Sequence, residues 1–161
     1  MTEVKFAGGS AGSTGVWDAQ WTAEKAFMTP EHKANGWHNE KDGNKRSFPE
    51  MVWYQFPVDA AFTPARVSFR PRGSCCLDQA PTMWEFVGSN DQECKEAGNW
   101  VVLCEDRSNT AWPSHYFTKY CDVKPEIVSK FRCLGVRVLN TLQKNGVVSL
   151  RNVRMWKKVL Q

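Results

Sequence analysis

Arg70, Arg72, Cys75 and Cys76 crowd into seven residues, RPRGSCC, and the chemistry open to such a set is recognition. A guanidinium donates hydrogen bonds from a rigid planar fork, and adjacent cysteines offer two thiols or one disulfide. In VSFRPR the apolar Val67 and Phe69 alternate with Ser68 and Arg70, which is the period of a strand with one buried face. That alternation projects Arg70 and Arg72 from the same side, into a loop too short to hide both. MWEFV then resumes the alternation, and Gly88-Ser89-Asn90-Asp91 supplies turn-forming residues. The stretch from Pro64 to Asp91 is therefore two strands holding up a small positive platform rich in sulfur. A plain alternative stands beside each reading. The arginines can be a solvated strand face, and Cys75 and Cys76 can each pair elsewhere among Cys94, Cys104, Cys121 and Cys133, or stay reduced.

Other groups are less well placed for chemistry. Residues 31 to 51 form a long polar loop containing His32 and His38, and long loops in compact domains tend to be functional. Trp37 beside His38 is a candidate ligand contact or a core anchor. His115 has no evident partner in sequence, and Trp112 and Tyr116 are exposed-aromatic candidates in a second surface loop, residues 106 to 121. Glu105-Asp106 and Asp91-Glu93 supply carboxylates, but cleavage of a glycosidic bond needs two of them facing each other across a cleft, and nothing in the spacing arranges that. There is no HExxH, no phosphate-binding loop, no CxxC pair and no Cys/His set at zinc spacing, which argues against an enzyme and against a structural metal.

The elements that must position these residues follow from the rest of the chain. At 161 residues and 42% hydrophobic content, one domain with a sizeable core is expected. Residues 1–15, with AGGSAGSTG, read as a flexible segment, and 16–161 as the domain. The net charge of +4 falls short of a nucleic-acid signature, and no segment approaches the roughly 20 apolar residues of a membrane span. Trp17, Trp21 and Lys25 stand at helical spacing, with Asp18 as a cap, which predicts a short helix or helical turn. Strands are expected at VWYQFPV, at WVVLCED, at FRCLGVRVLNT with Leu134, Val136 and Val138 on one face, and at VVSLRNVRMWKKV. Asn145-Gly146 is the strongest hairpin signal, and Cys94 and Cys104 bracket one strand as candidates for a local disulfide. Short strands without long amphipathic helices argue for an all-β sandwich or barrel.

In order along the chain, AEKAF27, VWYQF56, PARVSFRPR, WEFVGSND91, NWVVL103, CLGVRVLN140 and VSLRNVRMW156 resemble the discoidin, or coagulation-factor type C, family. The resemblance covers about Trp17 to Val159. It implies an eight-stranded jelly-roll β-sandwich of the galactose-binding-like group, and a non-enzymatic module that binds glycans, lipids or proteins. Calcium-binding members carry an Asp after the Ala-Phe of the early motif and an acidic residue in the closing strand; Met28 and Asn152 stand there, so no cofactor is carried over. The widely spaced terminal cysteine pair of many extracellular members is also missing.

Within the family, Arg72 before Cys75-Cys76 resembles the fucose-binding F-type lectins, which set a vicinal cysteine pair beside arginines and grip sugar with a loop histidine, here His38. Ser74, Gln79 and Ala80 depart from that pattern. The resemblance implies a glycan or glycoprotein partner held by His38, Trp37, Arg70, Arg72, Cys75 and Cys76, with self-association as a route to avidity. A protein-binding adaptor with reduced cysteines and a module for anionic membrane surfaces are the alternatives. A secreted chain with disulfides is preferred to a cytosolic one with thiols.

Overall fold

A computed structural model describes residues 1–28, 36–39, 48–143 and 146–159. Among the described residues the strands are β1 (Thr2–Glu3), β2 (Ser10–Ser13), β3 (Trp37–His38), β4 (Glu50–Gln55), β5 (Pro64–Arg70), β6 (Pro81–Ser89), β7 (Val101–Asp106), β8 (Lys119–Asp122), β9 (Cys133–Thr141) and β10 (Ser149–Lys157). One four-residue helix, α1 (Ala23–Ala26), accompanies them. β1 and β3 are only two residues long. The remaining eight form the body of the sandwich.

One sheet runs β1-β10-β5-β8, with β3 also on β10, and the other runs β2-β4-β9-β6-β7. Every pairing is antiparallel. The inner faces are set by the alternation in the sequence. Leu134, Val136 and Val138 of β9 meet Val67 and Phe69 of β5 and Leu150, Val153 and Met155 of β10 in one core, with Trp84 and Phe86 of β6. Each such side chain withdrawn from water contributes about 1.5–3 kcal/mol, so the alternation is enough to fix which face turns inward.

Several expectations change. Residues 10–13 are not loose: they form β2 and pair with β4 in register, Gly12 opposite Trp53. The expected hairpin at Asn145-Gly146 does not form, because β9 and β10 belong to opposite sheets. Asn145 lies outside the described residues; Gly146 does take the left-handed conformation, φ +77°, that the turn signal anticipates. The chain thus passes from one sheet at β9 to the other at β10. β8, missed in the second surface loop, is an edge strand whose pattern is too short and too polar to stand out. Asp18 does not cap the helix; Thr22 holds that position, and Asp18 accepts the Gln20 N–H in the turn before it.

The cysteines also pair differently from the local bridge proposed for Cys94 and Cys104. Cys94 bonds Cys133 at the start of β9, and Cys104 on β7 bonds Cys121 on β8. The second bond joins the edges of the two sheets along one side of the sandwich. Each closes a loop that contributes about 3–4 kcal/mol on chain-entropy grounds.

Candidate functional site

At one end of the sandwich β5 stops at Arg70, where Pro71 cannot continue the ladder, and the chain enters the 71–79 loop. Cys75 and Cys76 are bonded to each other. Cys76 adopts φ +62° and leads into a short 3₁₀ turn, Leu77–Gln79, in which the Gln79 N–H donates to the Cys76 carbonyl. Ser74 and Cys75 are exposed and Cys76 is half-buried, so the sulfur platform faces outward.

The two arginines part company at Pro71. Arg70 donates its Nε–H to the Thr118 hydroxyl at 2.8 Å. Arg72 turns down, 8% exposed, and lays its guanidinium over Trp21 with 4.3 Å to the ring centre. The loop is therefore long enough to cover one arginine, contrary to the expectation from its length. The Arg72 guanidinium also reaches the Ser74 hydroxyl at 3.4 Å.

Trp37 and His38 are brought to this end by β3, which pairs Trp37 with Leu150 and His38 with Ser149. That pairing inserts both side chains into the molecule: Trp37 is 0% and His38 1% exposed. The Trp37 indole N–H donates to the Gly15 carbonyl at 2.8 Å. His38 packs against Trp17 at 4.4 Å and Trp21 at 5.9 Å between ring centres, and the two indoles stack 6.0 Å apart. His38 and Arg72 both pack on Trp21, and the sulfur pair follows Arg72 in the same loop, while His38 and Trp37 lie beneath the surface. Trp21 stands between His38 and Arg72.

Two residues that carried little weight in the sequence hold this arrangement. Arg151, on β10 and 2% exposed, donates its Nε–H to the Pro71 carbonyl at 2.9 Å and an Nη2–H to the His115 carbonyl at 3.2 Å. His115 Nδ1 lies 2.7 Å from the Arg72 carbonyl oxygen. One buried cation thus ties two loops to each other and to the sheet. Its burial was the missing signal, since an arginine in a strand is ordinarily read as solvated. Gly36 lets β3 pass: a Cβ there would lie 2.2 Å from the Leu150 carbonyl oxygen and 2.6 Å from the Arg151 Cβ.

The second surface loop is likewise divided. Trp112, expected to be exposed, is 3% exposed and donates its indole N–H to the Pro81 carbonyl, because burying the ring while satisfying its one polar atom outweighs leaving it in water. Tyr116 is 74% exposed. Lys119 sits over the Trp112 ring at 4.8 Å. Burial raises the Asp106 carboxyl, but hydrogen bonds from Ser108 and the Lys119 charge hold it below the ordinary value.

His32 lies outside the described residues. Met28, 44% exposed, presents a thioether, and the Asn152 amide oxygen accepts the Arg154 Nε–H at 3.2 Å, so this pair does not suit a hard cation that wants carboxylate oxygens. Among the described residues no three His, Cys, Asp or Glu side chains gather as a metal site. Residues 8–12, GGSAG, spell the outline of a nucleophile elbow, but Ser10 lies in an extended edge strand opposite Gln55.

No family model matches the chain, and no curated protein matches it. Solved structures do. The family 32 carbohydrate-binding module of NanJ from Clostridium perfringens, in complex with galactose, is 16% identical with a TM-score of 0.69, over 96% of this chain and 97% of that one. CpGH89CBM32-5 from Clostridium perfringens, in complex with GalNAc-β-1,3-galactose, is 13% identical with a TM-score of 0.73, over 96% and 99%. The F5/8 type C domain of a Bacteroides fragilis protein is 12% identical with a TM-score of 0.71, over 99% and 97%. The two antiparallel sheets, the loop-bearing end and near-complete coverage give this chain the galactose-binding-like β-sandwich fold of family 32 carbohydrate-binding modules and F5/8 type C domains.

Proposed function

We propose that the protein is a non-catalytic carbohydrate-binding module that takes a sugar at the end of the sandwich bearing the 71–79 loop. The observation that carries this reading is the placement of Arg72 over the Trp21 ring beside the outward-facing Cys75–Cys76 disulfide. A pyranose has hydroxyl groups on its rim and apolar C–H patches on its faces. The Arg70 and Arg72 donors match the first, and the disulfide matches the second. His38 and Trp37 act from below, holding Trp21 and the loop in place. The named contact groups are donors and apolar surface, with no acid–base pair among them, so the role is recognition without bond cleavage.

The sugar complexes among the fold relatives support the ligand class, and the sulfur pair beside Arg72 supports fucose as one candidate. Three disulfides suit an oxidising compartment, and so a secreted protein. A single shallow site binds weakly, so tandem or oligomeric display is the route to useful avidity.

The test is a glycan array probed with the whole protein and, in parallel, with Arg72→Ala and Arg72→Lys. Selective binding that disappears in Arg72→Ala and recovers partly in Arg72→Lys, at matched melting temperatures, is expected. A blank array at high protein concentration overturns the reading and directs the search to protein partners.

A further inference from the structure

Beside the Arg72 platform the 106–113 loop and β8 border an open recess of about 650 Å³, lined by Asp106, Thr110, Phe117, Thr118, Lys119 and Tyr120 among others. Its volume is that of a ligand site. Two exposed rings stand in its lining: Phe117 and Tyr120 are 46% and 59% exposed. Its floor is polar and ordered. The Lys119 ammonium, on a side chain 12% exposed, lies 3.5 Å from Asp106 Oδ2 and 3.4 Å from the Thr110 carbonyl, and it rests on the Trp112 ring. The strands that carry Asp106 and Lys119 are tied to each other, because Cys104 of β7 and Cys121 of β8 are bonded.

We infer that this recess is a second saccharide subsite, which binds the next sugar of an oligosaccharide whose first unit lies on the Arg72 platform. The inference rests on the carbohydrate reading of that platform. Three observations choose a sugar over other occupants. The recess mixes a cation, a carboxylate and hydroxyl groups with ring faces, and so offers donors, acceptors and stacking surface together, as a neutral polyol ring needs. Its ammonium and carboxylate oppose each other, so neither an anionic nor a cationic ligand is favoured. It is also continuous with the platform: Thr118 in its wall accepts the Arg70 hydrogen bond, and His115 in the same loop bonds the Arg72 carbonyl. A linear oligosaccharide that leaves the platform past Arg70 enters the recess directly.

The test is an amide NMR titration of the whole protein with matched probes: L-fucose against 2′-fucosyllactose, and D-galactose against GalNAc-β-1,3-galactose. Each monosaccharide is expected to move chiefly resonances of residues 70–76, and the longer partner to move those of Phe117, Lys119 and Tyr120 as well. The Phe117→Ala, Tyr120→Ala double variant, altered at exposed positions, should lose roughly tenfold in affinity for the longer probe while its monosaccharide affinity stays unchanged, as expected for the loss of aromatic contacts. Longer probes that leave Phe117, Lys119 and Tyr120 unmoved overturn the second subsite and leave the platform standing. No shift in either region with any probe overturns both.

Discussion

The guanidinium of Arg72 rests 4.3 Å above the centre of the Trp21 indole, and this contact joins two loops separated by fifty residues of sequence. An arginine held on an aromatic face keeps its edge donors oriented and loses little side-chain freedom when a ligand arrives. Substituting Trp21 with Leu keeps an apolar plug but removes the flat face. Glycan affinity should then fall by about tenfold, the size of a cation–π contact of ~1–2 kcal/mol, in calorimetric titration with whichever glycan the array selects. An unchanged affinity would show that the contact is incidental.

Arg151 is the structural key of the same end. Replacing it with Met preserves much of the volume but strips the Pro71 and His115 carbonyls of their buried donor. Unfolding free energy should drop by about 3 kcal/mol in urea titration, since hydrogen bonds from a charged group contribute ~1.5–3 kcal/mol each and a neutral side chain has a smaller desolvation cost. Glycan binding should fall in step, and retention of full binding in a folded Arg151→Met protein would refute its positioning role.

The disulfides should separate stability from binding. A bond between neighbouring residues closes almost no loop, so Cys75→Ser with Cys76→Ser should leave the melting temperature nearly unchanged while weakening sugar binding. Cys104→Ser with Cys121→Ser should instead lower stability by about 3 kcal/mol, because the edges of the two sheets come free of each other. Equal losses of stability in the two pairs would contradict this division.

Acid should loosen the 91–99 loop. The Asn99 backbone N–H donates to the Asp91 carboxylate at 2.7 Å, with the Asn99 side chain adding a second bond, and together they hold that carboxyl below the usual value of 3.8. The Arg66 fork does the same for Asp122. A carboxyl lowered by folding stabilises the native state fully above the unfolded value, and that contribution is lost as pH falls through the lower folded value. Stability measured from neutral pH into the acid range should therefore fall below about pH 4. The fall should be shallower in Asp91→Asn, and an identical slope would show that this loop does not contribute.

Gly36→Ala tests the close approach of β3 to β10. The new methyl has no room against Leu150 and Arg151, so β3 should detach, exposing Trp37 and shifting its fluorescence to longer wavelength. A native emission spectrum with full stability would mean that the approach can relax.

Alternation alone placed β4, β5, β6, β7, β9 and β10, because a residue's side of a strand is a local, period-two property and burial of one side is worth several side chains' transfer energy. That β5 and β6 flank a loop carrying Arg72 and the adjacent cysteines was legible for the same local reason. What sequence could not assign were relationships across the fold. β9 and β10 meet at a strong turn signal yet enter different sheets, since strand partners are chosen by the whole core and not by the turn. Cys94 and Cys104 bracket a strand, yet their partners are set by which edges the sandwich brings together. Arg151 reads as a solvated strand residue until the 71–79 and 112–118 loops close over it. His38 reads as a loop ligand until β3 pairs it with Ser149 and tucks it under Trp21. In each case the local chain permits both outcomes with little difference in energy, and long-range burial decides between them.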